Sequence, residues 1–430
     1  MSIPHTLIRN GTVVTPETTN RADILIDGET IKAVGTAPDV PPGTRIVDAD
    51  GLLIFPGLID PHVHLREPGG EHKEDFSTGT RAALAGGFTT VLAMPNTRPP
   101  LTSRKTLEET LALATSKTVC DFGLFVGATA DNSVEAAEME KPVGLKLYMG
   151  SSTGDLLVAD LAGQLAHFKR YPGLIAVHAE DEEAVATFAA QDRRRPPLCA
   201  ALAVTRALAL AERLKRRLHI CHISTAQELG LIRDAKARGV PVTCEVTPHH
   251  LFLNVADEAR LGSLGRMNPP LRSSGDIQAL WDSLDIIDCL ATDHAPHTLE
   301  EKGSPTPPAG VPGLETALPL ILTAISSNAD QLSLCEVARL MGEGPARIFG
   351  IARKGRVAPG YDADLTLVDA DVEWTIGERK LLTKCGWSPF KGHKVKGQVE
   401  RVFLRGQEVY AHGEVLARPG CGRPILYRRK

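Results

Sequence analysis

Short runs of apolar, β-branched residues alternate with longer helical stretches through the middle of the chain, about residues 53–350. The alternation predicts eight strands, at residues 53–64, 89–94, 121–127, 143–148, 174–178, 218–222, 242–246 and 286–293. Stretches rich in Ala, Leu, Glu and Arg lie between most of them and predict helices, for example at 102–115, 200–217 and 226–238.

Eight strand–helix units in about 300 residues are the size and order of a (β/α)8 barrel of the TIM type. A doubly wound open sheet is the alternative. The count of eight favours the barrel, and no Gly-x-Gly-x-x-Gly segment opens after a strand, which weakens a dinucleotide-binding interpretation.

The two ends of the chain share a strand-and-turn pattern instead. Strand-like runs lie at residues 6–9, 12–14, 22–26, 31–34, 363–368 and 401–406. Asn10-Gly11 and Asp27-Gly28 predict hairpin turns. Neither end is long enough to form a core alone, so we expect residues 1–52 and 351–430 to pair into one small β-domain flanking a catalytic barrel over 53–350.

Composition narrows the class of protein without adding chemistry. The 430 residues are 43% hydrophobic, and 48 basic against 52 acidic residues give a net charge of −4, so the charge gives no sign of nucleic-acid or membrane binding. No apolar run approaches the ~20 residues that span a bilayer. The N-terminus lacks a secretory pattern, and none of the eight cysteines forms a Cys-x-x-Cys pair. We therefore expect a cytoplasmic protein with reduced thiols.

Metal-ligand side chains recur where predicted strands end. They are His62, His64, His178, His222 and Asp293. In a barrel the carboxyl ends of the strands converge on one mouth, where active sites form. A single histidine at a strand end is more often a hydrogen-bonded structural residue, but this joint pattern indicates a site for zinc-like ions.

Lys146 lies between two leucines in the fourth predicted strand. An ammonium beside two divalent cations is disfavoured, because burial and like charge both favour the neutral amine. A neutral amine takes up CO₂ to form a carbamate, an anion able to bridge two ions. The alternative is a supporting lysine, with Asp155 supplying the bridging carboxylate instead.

Three further side chains are placed to reach a ligand in the same mouth. Arg66 is two residues beyond His64, and its guanidinium suits a substrate carboxylate. Asn96 follows the second strand, and His297 follows Asp293 by four residues. A rim salt bridge for Arg66, and loop caps for the other two, are the structural alternatives.

Five segments carry a resemblance to a known family. They read Asp-Pro-His-Val-His-Leu-Arg-Glu-Pro-Gly (60–69), Ala-Met-Pro-Asn-Thr (93–97), Gly-Leu-Lys-Leu-Tyr (144–148), Cys-Glu-Val-Thr-Pro-His-His-Leu (244–251) and Ala-Thr-Asp-His-Ala-Pro-His-Thr (291–298). The chain resembles the dihydroorotases of the amidohydrolase superfamily up to about residue 415. It is similar to the form that is a domain of the animal multifunctional pyrimidine enzyme.

The resemblance implies two metal ions, usually zinc. The implied ligands are His62, His64 and Asp293 for the more buried ion, His178 and His222 for the second, and carboxylated Lys146 as the bridge. Many bacterial relatives bridge with an Asp-Asp-Gly segment, which this chain lacks, so Asp155 is the weaker choice. Cys221 and Glu245 match the positions of a third zinc contact. A small buried thiol and a supporting carboxylate are their alternatives.

The implied reaction is the reversible cyclisation of N-carbamoyl-L-aspartate to L-dihydroorotate and water, with Asp293 as general acid and base. The implied substrate-binding residues are His64, Arg66, Asn96, Asn268, His297, Ala309 and Gly310. Ala309 is a mild departure, since the family usually has Pro or Phe there. Residues 150–155 have the composition of a mobile active-site loop or a plain connection, and either Ser152 or Thr153 would touch substrate.

Two other functions compete with this interpretation. Allantoinases and hydantoinases share the metal ligands, but typically have Asn or Asp-Met where this chain has Arg66. Non-catalytic relatives, which partner aspartate transcarbamoylase, have lost ligands that are all present here. A homodimer and an association with aspartate transcarbamoylase are expectations from the family, and residues 416–430 are expected to be a disordered basic end rather than a docking strand.

Overall fold

The computed structural model describes residues 5–36, 38–152, 156–191, 194–327 and 332–427. Its strands are, in chain order, β1 (Thr6–Val14), β2 (Thr19–Asp27), β3 (Thr30–Gly35), β4 (Arg45–Asp48), β5 (Leu53–Pro56), β6 (Leu58–Val63), β7 (Phe88–Ala93), β8 (Asp121–Leu124), β9 (Val126–Gly127), β10 (Leu145–Tyr148), β11 (Ile175–His178), β12 (Leu218–Ile220), β13 (Val242–Val246), β14 (Cys289–Leu290), β15 (Leu365–Thr375), β16 (Lys394–Leu404), β17 (Gln407–Ala411) and β18 (Glu414–Val415).

The helices surround and connect these strands. They are α1 (Phe76–Ala85), α2 (Arg104–Lys117), α3 (Ser133–Glu138), α4 (Leu161–Arg170), α5 (Glu182–Ala189), α6 (Pro197–Leu214), α7 (Ala226–Ala237), α8 (Pro248–Phe252), α9 (Val255–Leu261), α10 (Ser274–Trp281), α11 (Leu299–Lys302), α12 (Ala317–Ser327), α13 (Leu334–Ala338) and α14 (Gly344–Phe349), with a 3₁₀ turn at Gly262–Gly265 and a π turn at Arg339–Glu343. The helices predicted from the three stretches given above appear as α2, α6 and α7, within a few residues at each end.

The barrel consists of parallel strands in sequential order. One run of neighbours is β6-β7-β8 and the other is β9 to β14. Since β8 and β9 are separated by Phe125 alone, they form one interrupted strand. A parallel bridge between Val63 and His294 joins the last strand region to the first and closes the ring. The predicted (β/α)8 barrel is confirmed, and the open sheet is excluded.

Both chain ends contribute to the flanking sheet, as predicted. The strand order is β18-β17-β16-β15-β5-β1-β2-β3, with β4 paired to β1. The N-terminal and C-terminal parts meet where β5 pairs antiparallel with β15. Apolar residues from both parts, including Ile24, Ile54 and Leu365, pack into one core cluster. The domain limits at residues 52 and 350 themselves stay a prediction.

Two details of the predicted strands are wrong. Residues 53–64 are two strands, because Gly57 separates β5 in the flanking sheet from β6 in the barrel. A side chain at Gly57 would meet Thr89, since an added Cβ would lie 2.3 Å from Thr89 Oγ1. Asn10-Gly11 makes a bulge within β1 rather than a hairpin turn, with Asn10 at φ 67°.

The C-terminal segment is ordered against the barrel as far as Tyr427, so the expected disordered end is wrong for the described part. Pro424 bridges to Phe122 in β8. Ile425 packs in an apolar cluster with Phe125, and the Tyr427 hydroxyl donates to Pro142 O at 2.7 Å. Residues 428–430 lie outside the described residues.

In the part of the chain that the structure describes, no helix combines the length and apolarity needed to cross a bilayer.

A buried charge cluster connects the barrel to the flanking sheet. Lys354 Nζ lies 2.8 Å from Asp121 Oδ2 in β8 and 2.5 Å from Asp364 Oδ2 beside β15. Arg405 also pairs with Asp121. Burial lowers the pKa of Lys354, but the carboxylates of Asp364 and Asp121 outweigh it and raise that pKa above its ordinary value. The Lys354 ammonium therefore offsets the repulsion between these neighbouring buried carboxylates.

We expect Lys354→Met to destabilise the protein by about 3–5 kcal/mol, since it leaves buried carboxylates without their counter-charge. Denaturant unfolding measures this. Lys105→Met is the control, because Lys105 is an exposed partner of Glu109 and its loss should cost less than about 1 kcal/mol. Equal unfolding free energies for the two variants would contradict the role given to the cluster.

Candidate active site

The first group of ligand-type side chains forms where β6 meets the end of β14. His64 N donates to His294 O at 2.7 Å, which continues the strand pairing past Val63. His62 Nε2 and His64 Nε2 lie 3.3 and 3.1 Å from Asp293 Oδ1. The structure therefore brings His62, His64 and Asp293 together, with both imidazoles facing one carboxylate.

Asp60 positions this group by accepting hydrogen bonds from both strand ends that carry it. Its Oδ1 accepts from His62 N and Thr292 N, both at 3.1 Å, and its Oδ2 accepts from Thr292 Oγ1 at 2.5 Å. Burial raises the pKa of Asp60 to about 7. Burial also raises the pKa of Asp293, but His62 and His64 outweigh it and hold that pKa well below its usual range.

The second group consists of His178, the last residue of β11, and His222, which follows β12. His178 Nδ1 lies 3.1 Å from His222 Nε2, and both side chains are buried. Glu180 Oε2 lies 3.2 Å from His178 Nε2, although the two are not aligned as a hydrogen bond. Burial raises the pKa of Glu180, but His178 and Arg195 lower it to about 2, so Glu180 is an ionised neighbour of the histidine pair.

Lys146 lies within reach of both groups. Its side chain is fully buried, and Nζ donates to Cys221 Sγ at 3.0 Å. Burial and the charge of Lys146 both lower the pKa of His178 and His222. Burial and Lys146 also act to lower the pKa of His62, but the carboxylates of Glu245 and Asp293 outweigh them and raise it to about 10. Among the residues that the structure describes, no carboxylate forms an ion pair with Lys146. Asp155, the alternative bridge, lies outside the described residues.

Glu245 joins the first group to the cysteine side of the site. His62 Nδ1 lies 2.5 Å from Glu245 Oε1, while His219 Nε2 lies 2.9 Å from Oε2. His222 N also donates to Oε1, at 3.2 Å. Ligand atoms of His62, Cys221 and Glu245 lie within 4.8 Å of one another, so this cluster has the composition of a further metal site. It is equally a hydrogen-bonded carboxylate that orients His62.

The first group fits a divalent metal ion. The ligand atoms of His62, His64 and Asp293 lie within 4.8 Å of one another. Zinc–ligand distances of about 2.1 Å in a tetrahedron imply ligand–ligand distances of about 3.4 Å. The separations of 3.1 and 3.3 Å in the first group are close to this, as is the 3.1 Å between the two nitrogens of the second. Imidazoles with one carboxylate are the ligand types that zinc-like ions prefer.

A cleft opens beside the first group and holds most of the predicted substrate contacts. It is lined by His64, Arg66, Asn96, Ser152, His249, Met267, Asn268, Asp293, Ala295, Ala309, Gly310 and Val311. Asn96 Oδ1 also accepts from His64 Nδ1 at 2.6 Å. Of the two loop residues left open by the sequence, Ser152 lies in the cleft and Thr153 lies outside the described residues. His297 lies behind Arg66 rather than on the cleft wall.

Arg66 reaches the cleft through a left-handed turn and not through strand alternation, because β6 ends at Val63 and Arg66 has φ 63°. Arg66 Nε donates to Pro296 O at 3.1 Å, and the guanidinium lies 3.1 Å from His297 Nε2. Only 7% of Arg66 is exposed. Burial lowers its pKa to about 10, so it remains a cation at neutral pH. Within the described ranges no carboxylate pairs with it.

Lys302 holds two cleft loops together. Its Nζ donates to Arg266 O and Pro308 O, both at 3.0 Å, and Gly310 N also donates to Arg266 O at 3.0 Å. These carbonyls precede Met267 and Ala309, which line the cleft. Burial lowers the pKa of Lys302 to about 7. This lysine therefore sets the spacing of the cleft wall.

Sequence reasoning assigned no role to Glu180, His249 or Lys302. Glu180 follows His178 by two positions, so strand alternation was a usable signal for it. His249 stands in a quoted segment but received no assignment. Lys302 carried no signal, because its partners are backbone carbonyls of loops whose approach depends on the fold.

Comparison with known proteins identifies the family of the chain. Residues 53–409 match the amidohydrolase family. The multifunctional protein CAD of Squalus acanthias is 42% identical over 401 residues, which are 92% of this chain and 17% of that protein. The dihydroorotase of Methanosarcina mazei is 38% identical over 454 residues, covering 98% of this chain and 97% of that one. The chain belongs to the dihydroorotases of the amidohydrolase family.

A solved structure supports the fold and the superfamily. The L-hydantoinase (dihydropyrimidinase) of Arthrobacter aurescens superposes with a TM-score of 0.93 at 30% identity, and the alignment covers 100% of both chains. A dihydroorotase fold thus differs little from a hydantoinase fold, so substrate choice must come from side chains in the cleft.

We expect zinc to raise the melting temperature of the metal-free protein by about 3 °C at a free concentration about 100-fold above its Kd. His64→Asn should remove most of this increase, because it takes one ligand from the first group. His412→Asn is the control, since His412 is exposed and lies on the flanking sheet. A zinc response in His64→Asn equal to that of wild type would contradict the assignment of His64.

Proposed function

We propose that this chain is a dihydroorotase that catalyses the reversible cyclisation of N-carbamoyl-L-aspartate to L-dihydroorotate and water, in de novo pyrimidine biosynthesis. The observation that carries the proposal is Arg66, a buried guanidinium without a carboxylate partner among the described residues, in the wall of a cleft beside His64 and Asp293. Both forms of this substrate bring a carboxylate to the cleft.

The charge around Arg66 favours an anionic ligand. A buried charge without a counter-charge is costly, and a bound carboxylate offsets that cost. Lys73 and His297 lie on the same side, with Lys73 Nζ 3.2 Å from His297 Nδ1, and Lys73 pairs with Glu301. A neutral cyclic amide would leave Arg66 unpaired, whereas a carboxylate would accept from its guanidinium in two places.

Two zinc ions are the proposed cofactors. We assign His62, His64 and Asp293 to one ion and His178 and His222 to the other. Bound zinc supplies Lewis acidity, which activates water near neutral pH and polarises the amide carbonyl. Asp293 accepts the proton of the attacking water during hydrolysis and delivers it to the leaving ring nitrogen; in cyclisation it removes the ureido proton.

Carboxylated Lys146 is the proposed bridge between the two ions. The ammonium first loses one proton; the resulting amine then adds CO₂ at nitrogen and loses a second proton, which would convert a buried cation into an anion between the two groups of ligand-type side chains. Two divalent ions would bring four positive charges, and the carbamate and Asp293 would offset two of them. The fully buried position of Lys146, within electrostatic reach of both histidine groups, supports this assignment.

Substrate binding divides between two sides of the cleft. We propose that Arg66, Asn96 and His297 bind the α-carboxylate. The ring contacts proposed are His64, Asn268 and backbone groups of Ala309 and Gly310. Lys302 sets the distance between the loops that carry Asn268 and Gly310.

Two roles are open for Glu245 and Cys221. Glu245 already lies within hydrogen-bond distance of His62, His219 and His222 N, which supports a role in orienting His62. A third zinc ion held by Cys221, Glu245 and His62 is the alternative, supported by the closeness of their ligand atoms.

A hydantoinase-type cyclic amidase is the second candidate function. The observation in its favour is the TM-score of 0.93 to the Arthrobacter aurescens enzyme. Arg66 argues against it, because a hydantoin ring without a carboxylate gives that cation no partner. A non-catalytic role is disfavoured by the presence of every ligand-type residue.

We further propose a homodimer in the cytoplasm, with aspartate transcarbamoylase as a partner. All eight cysteines are free, which is consistent with a reducing compartment. The relative that shows 42% identity is a multifunctional protein, which supports the search for such a partner. Sedimentation of the chain with and without aspartate transcarbamoylase tests both associations.

Arg66→Met should lower kcat/KM for dihydroorotate by about 100-fold, since loss of a buried charge–carboxylate contact costs about 3 kcal/mol. Metal content should stay near that of wild type. The assay offers dihydroorotate and allantoin side by side. Arg238→Met, at an exposed arginine on the barrel exterior, is the control. Turnover of allantoin in preference to dihydroorotate by wild type, or an unchanged kcat/KM in Arg66→Met, would contradict the proposal.

Lys146→Ala should lose most activity, because the bridging anion is gone. Added acetate should restore part of it by occupying the vacated space as an anion. Acetamide has nearly the same shape without the charge, so it should not restore activity. Steady-state turnover and metal content, measured together, check this. Full activity in Lys146→Ala without any added acid would remove Lys146 from the metal site.

A further inference from the structure

His249 is a cleft residue that the mechanism above does not use. It lies at the start of α8, immediately after β13, and is 3% exposed. Its ring lines the cleft together with Arg66, Asn268 and Asp293. In the described part of the chain, its buried Nε2 has no hydrogen-bond partner.

The adjacent histidine shows that the position at the start of α8 does not by itself leave a ring nitrogen without a hydrogen-bond partner. His250 is equally buried, yet its Nδ1 lies 2.8 Å from Thr247 Oγ1 and its Nε2 lies 3.1 Å from Pro269 O. Buried polar atoms in native proteins are nearly always hydrogen-bonded, and leaving one without a partner costs stability. The unpaired nitrogen of His249 therefore points to a partner that comes from outside the chain.

The character of the imidazole indicates which part of a ligand it suits. Burial lowers the pKa of His249 to about 4. Among the charged neighbours, Asp293 raises this pKa and His62 lowers it. A neutral imidazole offers one donor and one acceptor. It suits the N–H and C=O groups of an amide, while the carboxylate is left to Arg66.

We propose that His249 is a substrate-binding residue whose Nε2 hydrogen-bonds the amide edge of a cyclic ureide, or of its opened ureido form, in the cleft. The inference rests on the proposed function only for the identity of that ureide. The ligand would then be contacted on three sides. Arg66 binds the carboxylate, Asn268 and Gly310 flank the ring, and His249 hydrogen-bonds the amide.

The test compares His249→Leu with His249→Gln in the metal-loaded protein, by kcat/KM and by melting temperature. Leu removes the nitrogen at similar volume, so kcat/KM should fall about tenfold or more, mainly through KM, while the melting temperature stays equal or rises. Gln places an amide near the former Nε2 and should recover kcat/KM to within about threefold of wild type.

His167→Leu is the matched control for loss of a buried imidazole. His167 Nε2 donates to Thr129 O at 2.7 Å, away from the cleft. That variant should melt at a lower temperature and keep its kcat/KM.

The proposal is overturned if His249→Leu keeps kcat/KM within about threefold of wild type, or if Gln fails to recover what Leu loses. Failure of the proposed function is a separate result, because wild type would then turn over hydantoin or allantoin and not dihydroorotate. The same His249 variants, assayed with whichever cyclic ureide wild type accepts, still decide the role of His249.

Discussion

The site depends on the closure of the barrel between its first and last strands. Asp60 accepts hydrogen bonds from the backbone of His62 and from Thr292, and so fixes β6 against the segment after β14. His64 N donates to His294 O across the same seam. Because Asp293 lies between Thr292 and His294, any slip of the seam would separate its carboxylate from both imidazoles. The first group of ligand-type side chains is thus a consequence of how the ring closes.

Backbone conformation at the strand ends is the second constraint. Arg66, His222 and Asp293 have φ angles of 63°, 38° and 47°, in the left-handed region that non-glycine residues rarely adopt. Such positions cost about 1–3 kcal/mol each and persist where the surrounding structure enforces them. Here the enforcing contacts include the Asp60–Thr292 bonds and the Arg66 bond to Pro296 O. The left-handed turn at Arg66, and not the alternation of side chains along a strand, directs the guanidinium into the cleft.

The sequence predicted the fold, and the structure brings most of the predicted side chains together at one cleft; the reasons are physical. Parallel strands of a barrel end at one mouth, so His62, His178 and Asp293 could be grouped without coordinates. The strand break at Gly57 was missed, because a continuous apolar run carries no mark of a change of sheet. Lys302 was missed since it acts on backbone carbonyls that come together only in the folded chain. The Asn10-Gly11 turn was wrong because the dipeptide suits a bulge as well as a hairpin.

Substrate choice in this fold must be separated from catalysis, because the main chain is nearly shared with a hydantoinase. The metal-ligand side chains would serve any cyclic amide, since they act on the carbonyl, the water and the ring nitrogen. Specificity then lies in groups that are unfavourable without the right ligand. Arg66 is a buried cation lacking a counter-charge among the described residues, and His249 Nε2 is a buried nitrogen without a partner there. Each is unfavourable in an empty or mismatched cleft, and on the proposed function a ureide that carries a carboxylate would pair with both.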